Sequence, residues 1–401
     1  MGPLRIALVV EAMDTGIAQL VSLLASGLDK NGHEVHLLHS LRRTDREILR
    51  QLRTRSKVHC IAIDIARTVH RTDFSAGRAV RRYLRRNGPF DVVHGHSSKG
   101  GALARLSAVG LPGIRVYTPH AFYTLSPGLS GVPRVVYGTA ERALASLCST
   151  VVCSSMAEKR HAETLGIAGE QLAVIPNGIE PPVLAAPARD QFGFPDDETF
   201  IVGFVGRLEY QKAPDILLKA IARAAEADSR VRAVMIGDGG MESSLKELAA
   251  RLGIADRVAW LGRQPSDRYL ASFDILAMPS RYEGFSLMPL EAMHAHLPII
   301  CTPVGGIEET VSHGVTGLIV PIDDSEALAR TILALARDPA RRESMGAAAH
   351  RRAQSFLAEG SVAATEKLYF EILENRKAKK VRERDRAAAS DFRAPEGPAS
   401  G

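Results

Sequence analysis

The sequence lacks the signatures of several common protein classes. Its four cysteines form no Cys-x-x-Cys pair and lie mostly in apolar stretches, which favours buried, reduced thiols in a cytoplasmic protein. It contains no Gly-x-Gly-x-x-Gly motif, which argues against a nicotinamide dehydrogenase. No His-Glu-x-x-His or Asp-x-Asp motif occurs, so we expect neither a metal nor another cofactor. No apolar run approaches the roughly 20 residues that span a membrane.

The two ends of the chain also lack recognisable signals. The first residues, MGPLRIALVVEA, enter an apolar strand directly, without the basic start and cleavage site of a signal peptide. From 376 to 401 charged and small residues replace apolar periodicity, which predicts a disordered tail. The folded part of the chain is therefore expected between these ends.

Apolar strands alternate regularly with helical stretches along the rest of the chain. Its 401 residues are too many for one ordinary core, so two domains are expected. Repeated strand–helix units predict an α/β fold with parallel sheets covered on both faces. Asn177-Gly178 and the prolines that follow indicate a hinge. The predicted divisions are a first domain over 1–180, a hinge over 181–198, a second domain over 199–357 and a last helix over 358–375.

Basic residues are concentrated in the first half. Residues 1–180 carry 23 Lys/Arg against 14 Asp/Glu, whereas residues 181–401 carry 28 against 31. On a helix over about 75–86, four arginines share much of one face: Arg78, Arg82, Arg85 and Arg86. The alternatives are solvated surface, docking on an anionic membrane at ~1 kcal/mol per basic residue, and nucleic acid. Without interleaved aromatics or a known motif, nucleic acid ranks last.

The stretch from Met278 to Glu309 carries the most specific pattern in the chain. An apolar strand leads into a loop with Glu283, and a helix predicted over about Ser286 to Ala295 holds Glu291 two turns in. Eight residues along a helix are a little over two turns, so both carboxylates can face one cleft. Free N–H groups around 285–287, at the start of the helix, would form an anion site. This combination suits a sugar joined to a phosphate.

This stretch resembles the donor-binding signature of the retaining glycosyltransferases of family 4. Their pattern is a glutamate, seven residues and a second glutamate, which stands here as Glu283-Gly284-Phe285-Ser286 … Glu291. The resemblance implies two Rossmann-like domains facing across a cleft (the GT-B fold), with the last helix crossing back to the first domain. It also implies that Glu283 binds sugar hydroxyls and Glu291 the ribose hydroxyls. The backbone from Gly284 to Leu287 would grip the diphosphate.

Further donor-site residues follow from the same resemblance. Gly206-Arg207 and Lys212 come after a strand, where two cations can hold a diphosphate and stabilise the charge of the leaving group. The turn with Asp238 and Gly239 would lie beside the diphosphate, and Arg263 by the nucleobase. Gly16 opens the first helix, although relatives usually carry two adjacent glycines there.

Thr118-Pro119-His120 resembles a motif of the branch of this family that builds bacterial polysaccharides. In that resemblance His120 contacts the transferred sugar, and the next residue is glycine where this chain has Ala121. Nearby, His94 and His96 have no acidic or sulfur partner in sequence, which argues against a metal site. Lys99 is expected either to meet an acceptor phosphate or to be solvated.

The resemblance implies a glycosyltransferase that uses a UDP- or GDP-sugar, with His120, Arg207, Lys212 and Glu283 in catalysis. The expected acceptor is a lipid-linked saccharide in bacterial cell-surface polysaccharide synthesis, reached from the cytoplasm at an anionic membrane surface. Two alternatives stay open: a same-fold transferase with a soluble sugar or sugar-phosphate acceptor, and a nucleotide-sugar-binding protein without activity. The nucleotide, the sugar and the oligomeric state are left open by the sequence.

Overall fold

The alternation of strands and helices produces two parallel sheets in the computed structural model, which describes residues 2–66, 70–126, 128–194 and 198–391. The sheets have seven and six strands, and helices cover both faces of each. This is the predicted GT-B architecture of two Rossmann-like domains, so the expected fold class is confirmed.

The first sheet has the order β3-β2-β1-β4-β5-β6-β7, so the direction of strand addition reverses between β1 and β4. Ligands of such sheets bind outside the carboxyl ends of the strands at this reversal. The strands are β1 (Arg5–Val10), β2 (Glu34–Ser40), β3 (His59–Ile63), β4 (Val92–His96), β5 (Ile114–Thr118), β6 (Thr150–Cys153) and β7 (Leu172–Val174). The helices are α1 (Thr15–Lys30), α2 (Arg46–Arg55), α3 (Thr72–Asn87), α4 (Ser98–Ser107), α5 (Gly131–Ala145) and α6 (Met156–Thr164).

The second sheet has the order β10-β9-β8-β11-β12-β13 and reverses between β8 and β11. Its strands are β8 (Phe200–Val205), β9 (Val231–Ile236), β10 (Val258–Gly262), β11 (Ile275–Met278), β12 (Ile299–Cys301) and β13 (Gly317–Ile319). The helices are α7 (Pro214–Ala227), α8 (Glu242–Arg251), α9 (Met288–His294), α10 (Ile307–Thr310), α11 (Ser325–Ala336), α12 (Pro339–Ala353) and α13 (Ala358–Asp391).

Central strands are buried on both faces, which explains their continuous apolar sequences. In β1, every residue from Ile6 to Val10 is fully buried between the helices of the two faces. The three cysteines in or next to strands β6 and β12, Cys148, Cys153 and Cys301, are buried and free, and Cys60 is half-buried and free. Burial therefore accounts for the thiols, as predicted.

Helix α13 returns to the first sheet, as the resemblance implied. Tyr369 is fully buried there, and its hydroxyl lies 2.6 Å from Nδ1 of His94. A methyl group on Gly27 of α1 would lie 2.7 Å from Val362, so only glycine permits this approach of the helices. The backbones of Ile179 and Leu357 run side by side where the chain passes between the sheets.

Two predicted segments differ from the structure or fall outside it. Residues 376–391 belong to α13, whereas composition predicted disorder from 376 onward. The helix-forming lysines, arginines, glutamates and alanines of this segment explain the difference, and Lys379 and Glu383 pair across one turn. The rest of the predicted tail, 392–401, and part of the hinge, 195–197, lie outside the described residues.

The helix after Glu283 begins later than predicted. Helix α9 starts at Met288 instead of Ser286, so Glu291 lies in its first turn and not two turns in. Pro289 is the physical reason, because proline has no N–H and fits only the first turn of a helix. The expected helix-start N–H groups around 285–287 are therefore loop groups, and the loop sets the separation of the two carboxylates.

Candidate active site

Lys212 and Glu283 meet at the carboxyl end of the second sheet. The Nζ of Lys212 lies 2.5 Å from Oε1 of Glu283, and both side chains are mostly buried. The hydroxyl of Ser280 donates to the same carboxylate oxygen at 2.8 Å, and the Gln211 amide lies 3.4 Å from the other. The carboxylate of Glu283 is thus oriented by three donors from two loops.

The loop after β8 brings the two predicted cations together. The Lys212 side chain packs along Gly206, where an added methyl group would lie 3.5 Å from its Cδ, an ordinary contact distance. Ala213 adopts a left-handed conformation (φ +51°) just before α7 begins at Pro214, which turns the chain sharply. Arg207 is exposed, and its Nη2 donates to Oε1 of Gln211 at 2.8 Å. Gln211 therefore links Arg207 to Glu283.

Arg281 supports this arrangement and was not singled out in the sequence. Its guanidinium pairs with Asp215 of α7 at 2.9 Å and with Asp323 at 2.7 Å, and it also donates to the Tyr210 carbonyl. These bonds fix the loop before Glu283 against the start of α7. Its partners are distant in sequence, so no local motif indicated this role.

Glu291 lies in the first turn of α9 and is half-buried. The hydroxyl of Ser266 donates to its Oε2 at 2.6 Å, and burial raises the pKa of the Glu291 carboxyl. Arg263, predicted near the nucleobase, is exposed in the loop that leads to Ser266. A half-buried carboxylate that accepts from one hydroxyl retains acceptor capacity for further hydroxyl groups.

The Gly237-Asp238-Gly239 turn packs directly on the loop after β8. Gly237 has φ +139° and contacts the Gly206 backbone, and Gly239 contacts the backbone of Leu208. The carbonyl of Asp238 accepts from the Leu208 N–H at 2.8 Å, while its side chain is exposed. The structure thus brings this predicted turn against the segment that holds Arg207.

Two elements of the first domain face the loop that follows Glu283. Gly16, at the start of α1, would place a methyl group 3.7 Å from Leu287. A methyl group on Gly284 would lie 2.6 Å from Cβ of Ala121 and 3.2 Å from the His120 carbonyl oxygen. The glycines at 16 and 284 therefore mark where the two domains approach each other, and Phe285 and Ser286 lie between Gly284 and Leu287 in the chain.

His120 ends the motif after β5 in a strained backbone conformation. Its φ is +55°, and that of Ala121 is +98°, a region that favours glycine. Burial lowers the pKa of the His120 imidazole to about 4, so the ring is neutral at physiological pH. Its Nε2 lies 3.1 Å from Nδ1 of His96. A neutral ring in a half-buried residue beside the domain boundary can exchange hydrogen bonds with a sugar.

Three basic residues of the first half turn out to have structural partners. Lys99 was expected to be solvated or to meet a phosphate, but its Nζ pairs with Asp73 at 2.6 Å and it is mostly buried. Arg81 donates to the carbonyl groups of Ser107 and Val109. Arg43 pairs with Glu11 and Asp14, which organises the loop before Gly16. The four arginines that share the α3 face are exposed.

One group of side chains could hold a metal ion within the part of the chain that the structure describes. It comprises Glu34, His36 and His59, on neighbouring strands β2 and β3. Arg5 donates to Glu34 at 2.8 Å and so places a positive charge beside this group. The expectation that activity needs no metal remains a prediction. None of the described helices is both long enough and apolar enough to cross a bilayer.

Two family models match the chain, one for each sheet. The model for Glycosyltransferase Family 4 matches residues 15–182, and the model for Glycosyl transferases group 1 matches residues 187–352. A D-inositol 3-phosphate glycosyltransferase from Streptomyces scabiei is 32% identical over 326 residues, which cover 74% of this chain and 71% of that protein.

Solved structures share the fold at lower identity. HepE from Anabaena, in complex with UDP and glucose, has a TM-score of 0.75 and 20% identity, with 92% of this chain and 100% of that chain covered. Sucrose-phosphate synthase from Thermosynechococcus elongatus has a TM-score of 0.75 and 20% identity, with 93% and 100% covered. The chain belongs to the glycosyltransferases that combine a family 4 domain with a group 1 domain, and it is a glycosyltransferase of the GT-B fold.

Proposed function

We propose that this enzyme transfers a sugar, with retention at the anomeric carbon, from a nucleotide-diphosphate sugar to a soluble sugar-phosphate acceptor. The observation that carries the donor half is the cluster of Arg207, Lys212 and Glu283 at the domain boundary. Cations beside a loop of free N–H groups stabilise the charge that develops on a departing diphosphate. HepE binds UDP in its solved complexes, which supports a UDP-sugar as the first donor to test.

The acceptor half rests on the relatives. Several curated relatives with 31–33% identity over about two thirds or more of this chain are named D-inositol 3-phosphate glycosyltransferase. Their name describes a soluble sugar-phosphate-like acceptor, which favours this alternative over the lipid-linked saccharide first expected from the Thr-Pro-His motif. Lys99 is paired with Asp73, so we expect a different cationic side chain of the first domain to bind the acceptor phosphate.

A lipid-linked acceptor is the second candidate, and a specific surface favours it. Helix α5 exposes Val132, Val135 and Val136 by 75%, 67% and 58%, although apolar side chains of this size are usually buried. Arg134 and Arg142 lie on the same helix and are also exposed. Apolar and basic side chains together are typical of a surface that docks on anionic membranes.

Catalysis in this proposal depends on positioning and charge. The leaving phosphate takes the proton of the acceptor hydroxyl on the face from which it departs, so the new bond forms with retention. Arg207 and Lys212 neutralise the diphosphate, Glu283 and His120 hold sugar hydroxyls, and Glu291 holds the ribose. Closure of the two domains excludes water and limits hydrolysis of the donor. No divalent metal is required.

The test is a donor and acceptor screen with the purified enzyme. UDP- and GDP-sugars are incubated with soluble sugar phosphates, with the corresponding unphosphorylated sugars, and with a lipid-linked saccharide in anionic vesicles. We expect transfer from one donor to a sugar phosphate, an unchanged rate in EDTA, and retained anomeric configuration in the product by NMR. Transfer only to the lipid-linked saccharide would support the second candidate, and donor binding without any transfer would overturn both.

A further inference from the structure

Three histidines, buried His94 and His96 and half-buried His120, form a row between helix α13 and the candidate active site. His94 and His96 alternate with Gly95 on β4, so their rings share one face of the sheet, and their centroids are 4.1 Å apart. His96 and His120 stack with centroids 5.3 Å apart, because His96 is in register with Thr118 at the end of β5. The row ends at the predicted sugar contact.

The hydrogen bonds of the row differ at its two ends. His94 is satisfied, with Nδ1 at 2.6 Å from the Tyr369 hydroxyl and Nε2 at 2.8 Å from the Thr118 hydroxyl. His96 and His120 are joined to each other by one bond of 3.1 Å. Within the described part of the chain, Nε2 of His96, Nδ1 of His120 and the hydroxyl of neighbouring Ser97 are buried without a partner. Unpaired buried polar atoms cost stability, so they point to a ligand.

The shared bond couples the tautomers of the two rings. A neutral imidazole has one N–H and one acceptor nitrogen. When His96 donates from Nδ1, His120 accepts at Nε2 and carries its own hydrogen on Nδ1. When His120 donates from Nε2, His96 accepts at Nδ1 and carries its hydrogen on Nε2. Both rings must therefore hold the same tautomer, and His96 decides whether Nδ1 of His120 offers a hydrogen or a lone pair.

We propose that His96 is a positioning residue that fixes the orientation and the tautomer of His120, so that Nδ1 of His120 meets a hydroxyl of the transferred sugar. This inference rests on the proposed function of the site. The left-handed backbone at His120 and Ala121 cannot by itself fix the rotation of the ring, whereas the bond to His96 does. The hydroxyls of Tyr369 and Thr118 fix the His94 ring by hydrogen bonds. The His94 ring packs against the His96 ring and so restricts the orientation from which His96 bonds to His120.

The test replaces His96 by residues that place a polar group at one of the two ring-nitrogen positions or at neither. The amide of asparagine reaches the place of Nδ1, glutamine reaches that of Nε2, and leucine reaches neither with a polar atom. We expect His96→Leu and His96→Gln to lower kcat about 10²-fold with the donor KM unchanged within about threefold. We expect His96→Asn to retain kcat within about fivefold of wild type, since an amide can donate or accept.

A matched control separates positioning from the loss of any buried histidine. His33 is also buried in the first domain, but it directly precedes β2 and so lies at the amino ends of the strands, whereas the site lies at their carboxyl ends. His33→Leu is expected to lower the melting temperature as His96→Leu does, without lowering kcat beyond the fraction of enzyme unfolded. Equal kcat for His96→Leu and wild type, or equal loss for His96→Asn and His96→Leu, would overturn the proposal.

Nitrogen-15 NMR of the imidazole rings gives a readout that does not need turnover. We expect His96 and His120 to show the same neutral tautomer, and the His120 signals to become those of a tautomer mixture in His96→Leu. Opposite tautomers in the wild type would refute the shared bond. If UDP binds but no acceptor is glycosylated, the proposed function fails while this spectrum still decides the role of His96.

Discussion

Gly284 and Ala121 belong to different domains, yet a methyl group on Gly284 would lie only 2.6 Å from Cβ of Ala121. Two non-bonded carbon atoms cannot lie 2.6 Å apart, so a side chain at position 284 would push the two domains apart. Glycine at this position therefore permits the observed contact of the domains. The same approach brings the Glu283 loop to the His120 motif. The two halves of the candidate site are therefore joined through a glycine whose own backbone conformation alanine could also adopt.

Gly284→Ala is expected to hold the domains apart and to lower kcat/KM about 10²-fold, the usual effect of displacing reacting groups by about 1 Å. The melting temperature should change little, because each domain keeps its own core. Gly360→Ala is the matched control, since a methyl group there meets nothing within 4 Å. Steady-state kinetics and thermal unfolding measure both effects.

A second substitution makes this prediction sharper. Ala121→Gly removes the atom that a methyl group on Gly284 would strike and also suits the φ of +98° at that position. The double variant Gly284→Ala, Ala121→Gly should therefore regain most of the lost activity. If the double variant is as slow as Gly284→Ala alone, the contact between these residues does not set the domain approach.

Lys212→Met should lower kcat by about 10²–10³, because it removes a charge that stabilises the leaving diphosphate. It also leaves the mostly buried Glu283 without its ammonium partner at 2.5 Å. Lys219→Met is the control, since Lys219 is an exposed lysine of α7 that lies 3.9 Å from Asp215. Calorimetry with UDP should show weaker binding for Lys212→Met only. Equal kinetics for the two variants would remove Lys212 from the catalytic set.

The sequence predicts strands well in this protein and side-chain partners poorly. Buried parallel strands have continuous apolar sequences, so the apolar stretches at 4–10, 92–95 and 151–153 predict β1, β4 and β6 to within one residue at each end. Local motifs also singled out Glu283 and Lys212, which the structure brings within 2.5 Å of each other. The bonds of Arg81 and of Arg281, in contrast, join residues 26 to 71 positions apart. Such partners depend on the packing of whole elements, which no local pattern reports.

The role of His96 illustrates the same limit within the site. The sequence shows His94 and His96 one residue apart, but it does not show that His96 pairs in register with Thr118, next to His120. Register depends on the sheet as a whole. The predicted start of α9 at Ser286 was also two residues too early, although Pro289 carries the necessary signal, because proline fits only the first turn of a helix.

Arg105→Met should destabilise the first domain by about 3–5 kcal/mol, because it leaves the buried Glu141 carboxylate without a cation, with only the Tyr117 hydroxyl donating to it at 3.0 Å. Arg105 is fully buried, with Nη2 3.2 Å from Glu141 and its guanidinium carbon 3.8 Å from the centre of the Tyr117 ring. Denaturant unfolding monitors the loss. The double variant Arg105→Met, Glu141→Leu should recover part of the stability. If the double variant is less stable than Arg105→Met, the carboxylate is not the source of the loss.

Glu291 should make nucleotide binding depend on pH. Burial raises its pKa above the ordinary value of 4.5, so the carboxyl takes up a proton at a higher pH than an exposed glutamate does. Only the ionised form accepts hydrogen bonds from ribose hydroxyls with both oxygens. UDP affinity should therefore fall as pH is lowered from about 8 towards the raised pKa, and Glu291→Gln should lack this component. The comparison at each pH cancels the titration of UDP itself.

Glu291 should affect the stability of the protein in the opposite direction to UDP affinity, so that its contribution to stability falls as pH rises. Because the folded state holds the proton of Glu291 more tightly than the unfolded state, this carboxyl contributes most to stability below pH 4.5. That contribution is lost as pH rises through the raised pKa. Thermal unfolding of wild type and Glu291→Gln across this range should show a slope that only the wild type has. If the stabilities of wild type and Glu291→Gln depend on pH in the same way, the pKa of Glu291 is not raised in the folded state. If their UDP affinities depend on pH in the same way, Glu291 is not part of the ribose site.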